Sequence, residues 1–118
     1  MNRTLAVGAL ALTTALLGVA SASAATTLSG TVGPGFTITL TQGGAKVKTL
    51  KAGTYTFAIN DKSSSHSFGL DGPNGFAKDF TSVAFKGSKT FTVTLKKGSY
   101  KFYCQPHEAS MFGKFIVK

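Results

Sequence analysis

The chain has 118 residues, 42% of them hydrophobic, with thirteen Lys or Arg against four Asp or Glu and a formal net charge of +9. That length suits one domain and leaves little room for a second. Every basic residue after Arg3 is Lys, and the lack of Arg, whose guanidinium suits forked phosphate recognition, argues against a nucleic-acid partner.

The first predicted element is a secretory signal peptide over residues 1–24. Arg3 is the only charge ahead of an apolar run from Leu5 to Ala20, and Ala22-Ser23-Ala24 supplies small residues for cleavage. The run is short and diluted by Ala, Gly and Thr, whereas a spanning helix needs about 20 strongly apolar residues. Residues 25–118 are therefore expected as one exported domain without an integral membrane span, free of a lipid-anchored Cys at the cleavage site. This part keeps twelve Lys and all four acids, a net charge of +8. Such a surface is solvated and protects sheet edges, and it also steers toward an acidic partner or an anionic surface.

Strands follow in order. Thr27–Val32 is a first strand. Phe36, Ile38 and Leu40 alternate with Thr37, Thr39 and Thr41, and Tyr55, Phe57 and Ile59 alternate with Thr54, Thr56 and Ala58. Phe91, Val93 and Leu95 alternate with Thr90, Thr92 and Thr94; Tyr100, Phe102 and Cys104 continue, and Phe115 and Val117 close the chain. A period of two in β-branched and aromatic residues marks strands buried on one face. Gly33-Pro34-Gly35, Gly43-Gly44, Asn60-Asp61, Gly72-Pro73-Asn74-Gly75 and Lys97-Gly98 are turns. No long stretch has helical periodicity, although Gly75–Phe80 has room for a single turn. The spacing predicts an all-β, two-sheet Greek-key sandwich of about 7–8 strands.

An exported protein meets an oxidising compartment, where cysteines usually pair, yet Cys104 is alone. Cys104 has the inward phase of its strand, and His107 and Met111 lie on the loop that follows it. Thiolate, imidazole and thioether together suit copper, whereas zinc rarely takes a thioether. A trigonal site needs a second imidazole. His66, at the start of a mid-chain strand, is the one other histidine. After residue 24 the chain holds two His, one Cys and one Met, and all four fit one metal set with nothing left over.

The run Tyr100-x-Phe102-Tyr103-Cys104-x-Pro106-His107-x-x-x-Met111-x-Gly113, with a mid-chain His66, resembles the cupredoxins, the small blue copper proteins of the plastocyanin, pseudoazurin and amicyanin type. The resemblance covers essentially all of residues 25–118. It implies one copper ion, cycling between Cu(II) and Cu(I), with His66, Cys104, His107 and Met111 as ligands. Many relatives place Asn after the first His and Ser or Thr after the Cys, side chains that tie the two ligand loops. Here the positions hold Ser67 and Gln105, so that tie is expected to be altered or absent. The Cys-His-Met spacing leaves the axial bond length open.

The implied activity is electron transport between redox partners by a monomeric carrier that is not an enzyme. The resemblance makes His107 the electron port, and Pro34, Phe36, Pro106 and Phe112 form an apolar patch around it, suited to transient protein partners, acidic ones included. Pro106 lacks an N–H and cannot donate to the Cys104 sulfur; fewer sulfur bonds and a high potential are expected. The alternative is a copper-binding carrier with no dedicated electron-transfer role, which usually brings extra Met, His or Cys. An oxidase or reductase would need a further open metal site, and no histidine remains to build one. A metal-free structural module is the third alternative.

Overall fold

The alternation of apolar and hydroxyl-bearing residues folds as two five-stranded sheets packed face to face. The computed structural model describes residues 24–118, so the signal-peptide expectation, up to Ser23, lies outside the described residues. One sheet has the order β3-β2-β1-β5-β8, from β1 (Thr26–Val32), β2 (Ile38–Gln42), β3 (Ala45–Lys46), β5 (Gly53–Asp61) and β8 (Gly87–Leu95). The second has the order β4-β10-β9-β6-β7, from β4 (Thr49–Leu50), β6 (Phe68–Asp71), β7 (Ala77–Thr81), β9 (Gly98–Tyr103) and β10 (Phe112–Val117). Pairing is antiparallel except for β1 with β5 and β10 with β4.

Inward positions on both sheets make one core. Leu28, Phe57, Phe68 and Leu70 are fully buried, and Leu40, Phe80, Leu95 and Phe115 nearly so. Aromatic rings fill the space between the sheets: Phe68 stacks on Phe102 at 5.8 Å and Tyr100 on Phe115 at 5.1 Å between centroids. The outward positions of the first sheet are hydroxyl-rich, with Thr27 beside Thr56 and Thr54 bonded to Thr94 at 3.1 Å.

The sandwich expected from the periodicity is the fold observed. Four details differ. Asn60 and Asp61, expected as a turn, complete β5 and pair with Ser88 and Gly87. The helical turn lies at Pro73–Gly75, and Ala77–Thr81 is a strand. Phe36 falls outside β2, because Gly33 N–H bonds Thr37 O and Thr37 N–H bonds Gly35 O, turning the chain before the strand begins. The two-residue strands β3 and β4 arise where the chain crosses between sheets, at Val47 and Lys48. Among the described residues no helix is long and apolar enough to cross a membrane.

Strand direction decides where chemistry can gather. β1, β5, β7 and β9 end at the same edge of the sandwich, where β2, β6, β8 and β10 begin. His66 precedes β6, and Cys104 to Met111 join β9 to β10, so both segments meet at that end.

Candidate metal centre

His66 is set by a chain of short-range bonds. At the end of β5, Asp61 is 1% exposed, and its Oδ1 accepts the Ser63 N–H at 3.1 Å. Ser63 Oγ in turn accepts the Ser65 N–H at 3.1 Å. Asp and Ser side chains bonding the backbone two residues on fold a polar run into consecutive turns. Gly33, with φ of 74°, lies against this segment; a Cβ there would stand 3.0 Å from Ser63 Cβ and 3.6 Å from His66 Cδ2.

The second segment closes on itself. Cys104 N–H bonds Met111 O at 3.0 Å, His107 N–H bonds Cys104 O at 3.1 Å and Met111 N–H bonds His107 O at 2.8 Å. Pro106 is the second residue of the 3₁₀ turn Gln105–His107, within the first turn where its missing N–H costs nothing. The result places Cys104, fully buried, and Met111, 1% exposed, beneath the loop, while His107 stays half-buried at its surface.

Three donor atoms converge. His66 Nδ1 and His107 Nδ1 are 3.2 Å apart, and Cys104 Sγ lies 3.6 Å from the first and 3.7 Å from the second. A point equidistant from all three is about 2 Å from each, the length of a bond from nitrogen to a first-row metal. Three lone-pair-bearing atoms this close, two of them buried, are best satisfied together by a cation. Their softness, one thiolate and two imidazoles in a near-trigonal array, fits copper.

The sequence profile of the copper-binding proteins of the plastocyanin/azurin family matches residues 4–118. The chain belongs to this family. This cupredoxin has copper as its cofactor. It is similar to a reduced rusticyanin, with 26% identity over 78% of each chain and a TM-score of 0.53. It is similar also to the copper protein rusticyanin in a second structure, with 25% identity over 78% of this chain and 76% of that one and a TM-score of 0.52. An oxidised amicyanin variant shares the fold at a TM-score of 0.50, with 14% identity over 77% of this chain and 81% of that one.

Around the donors the cupredoxin differs from the expected pattern in an informative way. The tie between the ligand segments is altered, not absent: Ser67 Oγ accepts the Gln105 N–H at 2.9 Å, so the hydroxyl comes from the residue after His66 and the partner is backbone. Ser67 also points its own N–H at Cys104 Sγ, 3.4 Å away. Phe36 is 68% exposed and meets His66 and His107 edge-on, at 5.5 and 5.0 Å between ring centroids. Pro34, Pro106 and Phe112 are exposed as well. The Asp61 and Ser63 supports are absent from the sequence reading; the spacing Asp61-x-Ser63-x-Ser65 is the signal that reveals them.

Tyr103, immediately before Cys104, faces outward and donates to Asp71 Oδ1 at 3.1 Å. Its hydroxyl pKa is pushed up to about 12 by burial first, then by that bond and by the charges of Asp71, Asp79 and Glu108.

Proposed function

We propose that the chain is an exported carrier of single electrons between redox proteins, with His66, Cys104 and His107 as equatorial copper ligands and Met111 as the axial one. Bound copper supplies the Cu(II)/Cu(I) couple. The chain's own residues supply a fixed donor geometry. The Cys104–Met111 loop is cross-bonded through its backbone, and Ser67 joins it to the His66 segment, so the donors have little freedom to move when charge changes. The Ser67 N–H places a positive dipole against the sulfur and tempers its donor strength.

The observation that carries the reading is the pairing of a buried donor triangle with one half-exposed ligand. Cys104, His66 and Met111 are closed off from solvent, while His107 lies under the edge of exposed Phe36. That arrangement supports electron passage through His107 and disfavours copper release, which separates this reading from a copper carrier. Both histidines belong to the triangle, so the described residues offer no second imidazole site for substrate chemistry. Residues 1–24 serve as the export signal in this reading, with 25–118 as the working monomeric domain. The apolar surface of Pro34, Phe36, Pro106 and Phe112, in a protein rich in Lys, suits a small transient interface with an acidic redox protein.

Voltammetry of the copper-loaded protein tests this. Repeated reversible one-electron cycles with copper retained are expected. Rapid, complete handover of copper to an apo-acceptor, with no reversible wave, would instead establish the carrier.

A further inference from the structure

One edge of the sandwich stays open beside the metal loop. β4 pairs with β10 at Ile116 and Val117, and β3 pairs with β2 at Thr41 and Gln42. The crossing segment closes the edge only that far, through Val47 N–H to Leu40 O and Ile116 N–H to Lys48 O. Nearer the metal end, Phe112–Phe115 of β10 and Ile38–Thr39 of β2 have no strand on this side among the described residues. The Ile116 and Lys118 N–H groups both point toward β4. Strand backbone alternates, so the amides of Phe112 and Lys114 point the same way, into the gap.

A groove of about 270 Å³ fills the space between the two edges. Its floor is apolar, built from Leu40, Val47 and Phe102, each at most 7% exposed. Gly113 lets the Phe102 ring lie against the β10 backbone, where a Cβ would run into it. Phe112, next in chain to Met111, stands at the mouth, 45% exposed. Lys46, Lys48 and Lys114 line the rim, and no acidic residue does.

We propose that this edge receives an extended acidic segment of a partner protein, added as a strand along Phe112–Lys114. Strand addition uses unpaired backbone groups for affinity and alternate side chains for selectivity. One apolar side chain of the segment enters the groove, and its carboxylates meet the three ammonium groups. A second copy of this chain is disfavoured by its own positive charge. An anionic amphiphile would use the groove and the lysines but leave the Lys114 amide unpaired. The site does not depend on the electron-carrier reading.

The test is an NMR titration of the ¹⁵N-labelled, Cu(I)-loaded protein with an acetylated peptide alternating valine and glutamate. Saturable shifts are expected at residues 38–40, 46–48 and 112–115, with slowed hydrogen exchange at the Lys114 amide. The same peptide with lysine for glutamate should not bind. The triple variant Lys46→Glu, Lys48→Glu, Lys114→Glu, altering exposed side chains only, should weaken binding about tenfold or more while keeping a dispersed spectrum. No saturable shift, or shifts without slowed exchange at Lys114, would overturn the proposal. So would saturable binding of decanoate where the peptide fails.

Discussion

Ser67 carries two contacts at once. Its hydroxyl takes the Gln105 N–H and its own N–H faces the Cys104 sulfur, so one residue links the His66 segment to the thiolate. The sulfur receives this backbone N–H and can receive none from Pro106. The consequence for the potential runs against the expectation drawn from sequence. An N–H dipole beside the thiolate favours the more electron-rich, reduced centre, so a sulfur with fewer such bonds has a lower potential. Pro106→Ala, which restores an N–H at that position, should raise the potential. If it adds one bond of about 1 kcal/mol, the rise is roughly 40 mV by redox titration. An unchanged or lowered potential would show that the new amide leaves the sulfur alone. The cluster itself was legible in the sequence because Cys104, His107 and Met111 lie in one short loop. Asp61 was not, since its part is to shape the backbone ahead of His66.

At the scale of elements, legibility followed burial. β1, β5, β8 and β9 each bury one face, which writes a period of two into the sequence. β7 lacks that pattern: it is an edge strand, paired to β6 across a register shift at Phe68/Gly69, and its Lys78 lies over the Phe91 ring at 4.9 Å. β3 and β4 are held by crossover geometry, which leaves no periodic trace in two residues. In the turn between β8 and β9 a single side chain clamps the backbone. Tyr100 Oη donates to Lys96 O at 2.8 Å and accepts the Lys96 N–H at 3.0 Å. Tyr100→Phe keeps the ring in the core and leaves both backbone groups without this partner. A loss of about 1–2 kcal/mol is expected, seen as a fall of about 5–15 °C in Tm by thermal denaturation. An unchanged Tm would mean that the clamp contributes nothing.

Across the whole molecule, charge is unevenly placed. Twelve lysines outnumber the four acids, and three of those acids, Asp71, Asp79 and Glu108, act together on Tyr103. Glu108 also pairs with Lys101 at 3.1 Å. Tyr103 holds its proton more tightly folded than unfolded, so its contribution to stability is complete below the ordinary tyrosine pKa of about 10 and is lost as pH rises toward about 12. Denaturation followed across that window should show falling stability, with the fall reduced in Tyr103→Phe. An equal fall in that variant would assign the effect elsewhere, Tyr100 being the other tyrosine whose pKa burial raises. The measurement that bears most directly on the central claim is Cu(II) titration of the purified protein, followed by visible absorption and EPR. One equivalent of copper should produce an intense thiolate-to-copper band with narrow copper hyperfine splitting, and Cys104→Ser should abolish the band. No band in the parent protein, or the same band in Cys104→Ser, would contradict a copper site built on Cys104, His66 and His107.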